Sequence, residues 1–442
     1  MKTIVIHEGQ KNTIQGECKP KEAMEILALD PKEWKVVSKN ITDKAATYTL
    51  ERVEKKSTAL VPVAEAPTNL RFLAVTGDGT IDLSAAEKKS DEPPPVYKLS
   101  VDREELQAVL PVIMDVTPKK ALLPILTTVK VVSTGENLTL SATDLEKAFV
   151  VTIPCTGDPV ALCVSAELFS REVKALVKEI EDVELTVTAG TIKINDRCQL
   201  VTHEVDEFPE IEAVEGETVT IEKLSDQLKT VLPAVCQDET RFALTGVFFN
   251  FPKRTIAATD GFRLHLSPIR FSEEVASTGV TVPHKSAVLL NKYGAEALTV
   301  NDRRLSALIM GGVFSTRLID GAFPDYEAVW PDTKAYHNVM FKADEFISLM
   351  PGVAPVSNGS AITMTINGQI DIESENESGS YRWHVPGKSD LRGKPVQFYV
   401  NGTFIVDAIK AYAPDETVTL RFPKTYGALV INDKALVMPI KR

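Results

Sequence analysis

The stretches VSAELFSREVKAL (164–176), VPHKSAVLLNKYG (282–294) and VNGTFIVDAIKAY (400–412) stand 118 residues apart and share one pattern. A strand-ending Val is followed by a polar or turn residue and then by an amphipathic helix. In the first copy Leu168, Val173, Leu176, Val177 and Ile180 recur at helical spacing, a stripe that packs on a sheet and leaves the other face outward. A chain built from three copies of one unit reads as a geometric device rather than a single-site enzyme.

Further landmarks repeat around these helices. REELQAVLPVI (103–113), LSDQLKTVLPAV (224–235) and ADEFISLMPGVA (343–354) each read as a helix with an apolar pair before a proline, Pro111, Pro233 and Pro351. A strand pair follows. It crosses ATDLE (142–146) in the first copy and ATDGF (258–262) in the second, while the third has IDIESENESG (370–379). Each unit closes on strands: LTVTAGTIKI from Leu185, LTVNDRRLSALIM from Leu298, VTLRFPKTYGALVI from Val418. The first two also end alike, in EFPEI (207–211) and AFPDY (322–326). Two helices and six to eight short strands over about 115 residues describe an α+β unit with antiparallel sheets. Three such units with the same helix face outward form an arc, and head-to-tail ends close an arc into a ring of several chains.

Upstream, AAEKKSDEPPP (85–95) joins a charge cluster to three consecutive prolines and reads as a linker. Before it, residues 1–84 form a separate small α+β domain. KTIVI opens it, WKVVSKNITDKAATYTLERV (34–53) reads as a hairpin, LRFLAVTGDGTIDL (70–83) turns at Asp78-Gly79, and KPKEAMEILAL (19–29) is helical. The resulting division is 1–84, linker 85–95, then 96–213, 214–334 and 335–442.

Composition sets the outer bounds. With 442 residues, 44% hydrophobic and 25% charged, the chain is long enough for three or four globular domains. No apolar run reaches the roughly 18 residues of a membrane span, and the N-terminus lacks a signal-peptide core. Five scattered cysteines (Cys18, Cys155, Cys163, Cys198, Cys236) give neither a disulfide framework nor a CxxC metal site, so a reducing cytoplasm is expected. A net charge of −12 argues against a protein that coats nucleic acid with its whole surface, but leaves room for a local basic face.

From about Tyr97 to Arg442 the chain resembles the bacterial DNA polymerase III beta subunit, the sliding clamp. The residues that carry the resemblance are LLPIL (122–126), ATDLE (142–146), RFALTG (241–246), ATDGFRL (258–264), STRLIDGAFPDYEAVWP (315–331) and VMPIKR (437–442). The resemblance implies three tandem clamp domains per chain, a homodimeric ring of six similar domains with helices lining the hole, and no catalytic residues, metal or cofactor. Such a ring encircles double-stranded DNA without reading its sequence and tethers the replicative polymerase. Topology holds it in place, so basic side chains need only touch phosphates. The implied DNA-contacting residues are Lys119 and Lys120 before LLPIL, Arg171, Lys174 and Lys178 on the first domain's second helix, Arg241, Lys285 and Lys292 in the second domain, and Lys410 in the third.

The resemblance also implies an apolar groove between the second and third domains for a short peptide carried by polymerase, clamp loader and repair factors. Carried onto this sequence, its walls are Leu244, Thr259, Gly261, Phe262, Arg263, Leu264, Pro324, Val329, Val437, Met438, Pro439 and Ile440, with Tyr426 nearby. Each buried peptide anchor contributes roughly 1.5–3 kcal/mol. Two anchors and a few backbone hydrogen bonds then approach the roughly −8 kcal/mol of micromolar binding, which suits partners that exchange. Phe262 stands where the family often has His, and Ala328 where some members have Arg. For ring closure the family pattern points to Pro355 and Val356, with an edge strand near Val187–Ile194 as their partner across the joint.

Enzyme readings find little support. The six histidines (His7, His203, His265, His284, His337, His384) show no metal-ligand spacing, and there is no P-loop or GxGxxG. Asp144 and Asp260 recur in equivalent positions, which favours a structural turn over paired catalytic carboxylates. The rival reading is a clamp-like scaffold or decoy that binds replisome partners without encircling DNA. The role of residues 1–95 is left open.

Overall fold

The repeat in the sequence becomes a repeat in strand order. The computed structural model describes the backbone of four strands within 4–52, and residues 95–441 apart from 296, 354–356 and 358–359. The chain forms two compact units, Met1–Asp91 and Glu92–Arg442.

In the first unit β1 (Ile4–Glu8), β2 (Lys11–Gly16), β3 (Trp34–Thr42) and β4 (Ala45–Arg52) form an antiparallel sheet in the order β1-β2-β4-β3. The β3–β4 pair is the hairpin expected from 34–53, closing with Thr42 opposite Ala45. The expected helix at 19–29, the hairpin at Asp78-Gly79 and nearly all of the linker lie outside the described residues.

The second unit holds three copies of one pattern. The first contains β5 (Tyr97–Asp102), α1 (Arg103–Val116), β6 (Thr128–Ser133), β7 (Asn137–Thr143), β8 (Lys147–Pro154), β9 (Thr156–Gly157), β10 (Val160–Ser165), α2 (Ala166–Lys174), β11 (Asp182–Thr188), β12 (Thr191–Ile194) and β13 (Cys198–His203). The second contains β14 (Glu217–Thr220), α3 (Leu224–Val231), β15 (Gly246–Asn250), β16 (Thr255–Thr259), β17 (Arg263–Pro268), β18 (Val280–Pro283), α4 (His284–Tyr293), β19 (Ala297–Val300), β20 (Arg304–Ile309) and β21 (Gly312–Arg317). The third contains β22 (His337–Lys342), α5 (Ala343–Ile347), α6 (Met350–Val353), β23 (Ala361–Ile366), β24 (Ile370–Asn376), β25 (Gly379–Val385), β26 (Gly387–Ser389), β27 (Val396–Asn401), α7 (Gly402–Ile409), β28 (Thr417–Phe422), β29 (Leu429–Ile431) and β30 (Ala435–Val437). The α+β class expected from the sequence holds.

Each copy contributes two four-stranded runs. One run is β8-β7-β6-β10, repeated as β17-β16-β15-β18 and β25-β24-β23-β27. The other is β13-β12-β11-β5, repeated as β21-β20-β19-β14 and β30-β29-β28-β22. Copies join edge to edge by the same strands each time. β8 pairs with β21, and β17 pairs with β30. Among the described residues the corresponding strands β25 and β13 have no such partner. Among the described strands β25 neighbours only β24, and β13 meets β10 only at Cys163↔His203 and Val164↔Thr202 beside its full pairing with β12. The expected edge at Val187–Ile194 is therefore corrected. β11 and β12 are interior strands, each paired on both sides, and the open edge is β13.

Helix ends follow local chemistry. Asp102 caps α1 by accepting from Glu105 N at 2.8 Å, and Leu106, Leu110, Ile113 and Val116 bury its inner face. The recurrent proline has a different outcome in each copy. Pro111 sits inside α1, Pro233 ends α3 in a 3₁₀ turn, and Pro351 lies in the one-turn α6 after α5 has stopped. The stripe expected to run to Ile180 stops earlier. α2 ends at Lys174, and Val177 is 55% exposed. The chain leaves the helix because Arg103 Nε donates to Ile180 O at 2.7 Å and Arg103 N to Glu181 O at 2.8 Å, which draws 180–181 toward the start of α1. No helix among the described residues is long and apolar enough to cross a membrane.

Candidate functional site

The Ala-Thr-Asp turn is built the same way twice. At 258–263 the Thr259 hydroxyl donates to Arg263 O at 2.6 Å and accepts from Gly261 N at 3.1 Å, while Asp260 Oδ1 accepts from Phe262 N at 2.9 Å and Arg263 N at 3.0 Å. At 142–147 Thr143 bonds Lys147 O and Leu145 N, and Asp144 Oδ1 accepts from Glu146 N and Lys147 N. Both aspartates are spent on the turn. The left-handed position falls on Gly261 (φ 86°) in one copy and on Leu145 (φ 76°) in the other.

From this turn Arg263 reaches across the joint. Its guanidinium bonds Asp260 at 3.0 Å and Asp407 of α7 at 2.7 Å, and lies 4.3 Å from the Phe404 ring centroid. The three charged side chains are only 11%, 15% and 17% exposed. Arg263, expected on the groove wall, spends its side chain on this ion pair across the β17–β30 joint. Beside it His265 is fully buried, with Nδ1 2.8 Å from Thr230 O and no partner at Nε2. Burial holds its pKa down at about 4.

The C-terminal tail lies against this turn. β30 lies against β17 with Val437 opposite Arg263 and Leu436 opposite Leu264. Beyond the strand, Met438 N donates to Phe262 O at 2.9 Å, Ile440 N to Tyr399 O at 2.7 Å, and the Tyr426 hydroxyl to Pro439 O at 2.6 Å. A separate apolar cluster of Ala257, Leu264, Tyr326, Ala428 and Leu436 forms beneath, joined by Phe248, Phe323, Trp330 and Met438. Phe248 and Phe323 stack at 4.9 Å between ring centroids. Above it large apolar surfaces face solvent: Phe262 58%, Val329 62%, Tyr426 52% and Ile440 40% exposed. The Phe262 ring therefore faces solvent. Pro324 is exposed, Leu244 and Thr259 half-buried, and Pro439 buried. On the other flank of the tail, Phe398, Tyr399, Tyr426, Pro439, Ile440 and Lys441 line a cavity of about 340 Å³.

One assignment shifts by a residue. Val437 is buried in the third domain's own core, and Leu436 joins the groove cluster. Alternation along a strand sends neighbours to opposite faces, and the sequence does not set that phase. Leu436, Phe248, Phe323, Tyr326 and the exposed Phe242 escaped the sequence reading. The apolar content of VFFN and AFPDY was the available signal.

The expected basic residues spread over all three domains. Lys119, Lys120, Lys174 and Lys285 are exposed as expected. Others are engaged or displaced. Arg171 pairs with Glu172 at 3.2 Å. Lys178 and Lys410 lie past the ends of α2 and α7, and Lys410 is 3.5 Å from Asp407. Arg241 donates to Asp260 O at 2.6 Å and lies 5.9 Å from the Phe262 centroid, beside the Ala-Thr-Asp turn. Lys292 and the Tyr293 hydroxyl both bond Asp115 of α1 at 2.6 Å, a clasp between the first and second domains. Burial opposes ionisation of Asp115, but these two donors prevail and hold its pKa below the usual carboxylate value. Burial and the same bond push Tyr293 up to about 12. Exposed Glu104, Glu105, Glu167, Asp226 and Asp344 offset the lysines on the helices. Pro355 and Val356 lie outside the described residues.

Comparison with known proteins now bears on this geometry. Residues 97–212 match the N-terminal domain, and residues 218–325 the central domain, of the DNA polymerase III beta subunit; together they span just over half of the chain. The beta sliding clamp of Chlamydia trachomatis is 24% identical over 369 residues, which cover 78% of this chain and 87% of that protein. The DNA polymerase III beta subunit of Thermotoga maritima superposes with a TM-score of 0.70 at 22% identity, covering 78% of this chain and 100% of that one. The sliding clamp of Bacillus subtilis gives 0.71 at 20% identity, covering 79% and 100%. This chain belongs to the DNA polymerase III beta subunit family, the sliding clamps.

Proposed function

We propose that the chain is a DNA sliding clamp: a non-catalytic ring that encircles duplex DNA and tethers the replicative polymerase for processive synthesis. The observation that carries this reading is the unfinished edge. Two joints within the chain are made by pairing one strand type with another, β8 with β21 and β17 with β30. The chain then ends with one of each type left over, β25 and β13. Pairing β25 of one copy with β13 of another repeats the internal joint and closes two copies head to tail into a homodimer. Trp383 on β25 is 51% exposed and Val201 on β13 is 68% exposed, surfaces that such a joint would cover. The clamp domains are then 96–213, 214–334 and 335–442.

The basic residues Lys119, Lys120, Lys174, Lys178 and Lys285 would meet phosphates without reading bases. Because acidic residues share the helices, contact is weak and its salt dependence shallow, and topology does the holding. The groove around Leu264, Leu436 and Met438 would take an extended peptide from polymerase, clamp loader or repair proteins, anchored by apolar side chains. A reducing cytoplasm suits the free Cys155, Cys163, Cys198 and Cys236.

The deciding experiment is retention on covalently closed circular DNA, with a matched loader and a high-salt wash. The ring should stay on closed circles and leave when the circle is cut. Failure to stay on closed circles refutes the proposal. A native mass measurement should give a dimer, and Trp383→Lys should give a monomer that no circle retains.

A further inference from the structure

The Phe-Pro segments that follow the first two domains each lie on a sheet face, and the third domain holds the same face open. In the first copy Cys163 of β10 stands opposite Lys130 of β6. Phe208 of EFPEI packs on Cys163, and Lys130 Nζ lies 5.8 Å from its ring centroid. In the second copy Thr281 of β18 stands opposite Phe248 of β15, and Phe323 of AFPDY stacks on Phe248. The residue three places on, Ile211 or Tyr326, packs on the same face. The Tyr326 hydroxyl meets Asn250 at 3.1 Å and Thr255 at 3.0 Å.

The equivalent pair in the third copy is Tyr399 of β27 and Thr363 of β23. The bond that closes each domain fixes the correspondence. His203 pairs with Cys163, Ile319 N donates to Thr281 O at 2.9 Å, and Ile440 N to Tyr399 O at 2.7 Å. Over this pair stands a cavity of about 390 Å³, lined also by Ala361, Glu373, Glu375 and Arg382. Its floor differs in charge from the other two. On the neighbouring strand Ser141 lies opposite Lys130 and Ala257 opposite Phe248, but Glu373 lies opposite Thr363. With Asp371 and Glu375 at alternate positions, Glu373 makes a row of carboxylates along one face of β24. Glu373 pairs with Arg382 at 2.7 Å, where Arg382 is 81% exposed, and Asp371 meets His384 at 3.0 Å. Glu375 is exposed and pairs with no basic group among the described residues.

We propose that this face docks an extended segment of a partner protein, of the form Phe-Pro-x-Arg or Phe-Pro-x-Lys. The two connectors supply the pattern. The aromatic ring lies over Tyr399 and Thr363, and the proline keeps the backbone around it extended. The carboxylate row changes the fourth residue from apolar to basic, since a cation there gains charge-assisted hydrogen bonds. The occupant comes from another protein. This chain has four Phe-Pro pairs, at 208, 251, 323 and 422, and each of these phenylalanines packs within its own fold. The face is separate from the surface around Leu264, Leu436 and Met438, none of which lines the cavity. It needs neither DNA nor ring closure.

The test uses the full chain and a fluorescein-labelled octapeptide, Gly-Ser-Phe-Pro-Ser-Arg-Gly-Ser, followed by fluorescence anisotropy. The wild type should bind it. Alanine in place of the peptide's phenylalanine should weaken binding by about tenfold, the effect of burying one apolar side chain. Glutamate in place of its arginine should weaken binding at least as much. On the protein, Glu373→Gln with Glu375→Gln should cost about tenfold and leave the remaining affinity nearly independent of salt. Glu375→Lys, at an exposed side chain, should give a similar loss and guards against a folding defect. Met438→Arg should change nothing, and a peptide with Leu and Phe anchors should not compete. A wild type that fails to bind, or that binds the alanine peptide equally well, overturns the inference. So does binding that survives both glutamate variants unchanged, or that Met438→Arg abolishes.

Discussion

At the joint between the first and second clamp domains, Lys147, Ala148 and Phe149 of β8 lie opposite Thr316, Ser315 and Phe314 of β21. At the joint between the second and third, Arg263, Leu264 and His265 of β17 lie opposite Val437, Leu436 and Ala435 of β30. The backbone is common to both. Even the bond past the strand end recurs, as Arg317 N to Glu146 O at 2.8 Å and as Met438 N to Phe262 O at 2.9 Å. The side chains are inverted. The first joint buries two phenylalanines in its core and shows Glu146 and Arg317 outside, 3.8 Å apart. The second has a histidine and an alanine in the core and carries Phe262, Leu264, Leu436 and Met438 on or under its outer face. Apolar surface has moved from the seam to the groove, and the Arg263 staple holds what core packing no longer does. One architecture carries a closed apolar seam at one site and an open apolar face at the other.

The most direct way to break this contrast is to write the first joint into the second. Phe262→Glu, Leu436→Ser and Met438→Arg place there the residues of the equivalent positions. Loss of the apolar walls should weaken a peptide with Leu and Phe anchors by about 4 kcal/mol, nearly a thousandfold, as measured by fluorescence anisotropy. Retention on circular DNA should persist. Peptide affinity within threefold of wild type would mean that the groove lies elsewhere.

The core histidine gives the second joint an acid sensitivity that the first lacks. The folded pKa of about 4 lies below the ordinary 6.5, so His265 is neutral in both states above pH 6.5. Between those values the unfolded chain binds a proton that the folded chain refuses, and stability falls as pH drops. The fall amounts to about 3 kcal/mol and levels off below pH 4. Its charged neighbours are Arg263, Asp260 and Asp407. His265→Phe, the residue used by the first joint, should flatten thermal melting between pH 6.5 and 4. An unchanged slope in that variant assigns the sensitivity to another group.

The ionic links differ in the same sense. Arg263→Met strands Asp260 and Asp407 in a largely buried site and should cost about 2–3 kcal/mol in urea unfolding. Asp115→Asn loosens a clasp whose Lys292 side chain is 53% exposed, and should cost at most about 1 kcal/mol. Equal costs would show that burial does not set the strength of these links.

What the sequence disclosed follows from range. The helix repeat, both Ala-Thr-Asp turns and the closing strands are written in residues a few positions apart, and each appears at its expected place, with α2 ending short. The segments ATDGFRL, AFPDY and VMPI are each short and distinctive, and the structure gathers Leu264, Tyr326, Leu436 and Met438 from them and their neighbour into one apolar cluster. Facts that need a partner far along the chain were not legible. Arg263 meets Asp407 across 144 residues, and Lys292 meets Asp115 across 177, so the first read as groove wall and the second as a DNA contact. Strand phase put Val437 in place of Leu436, and strand order hid which edge was open. The end of α2 at Lys174 depended on Arg103 capturing Ile180 O.

The smallest effect tests whether the two turns share one backbone requirement. Each needs a residue at positive φ, where an L side chain costs about 1–2 kcal/mol and glycine costs nothing. Leu145 occupies that position at the first joint with φ 76°, and its side chain is 45% exposed, so burial returns little. Leu145→Gly removes the strain and adds unfolded-state freedom of about 0.4–1 kcal/mol, for a net gain of about 0.5 kcal/mol. Gly261→Ala does the reverse at the second joint. It introduces strain, and its Cβ would lie 3.1 Å from Arg241 Nη1, so a loss of about 1 kcal/mol follows. Opposite signs in urea unfolding are expected because the turn, and not the side chain, dictates the conformation. If Leu145→Gly destabilises instead, the leucine is held for a contact beyond this chain, and the first joint carries a surface function of its own.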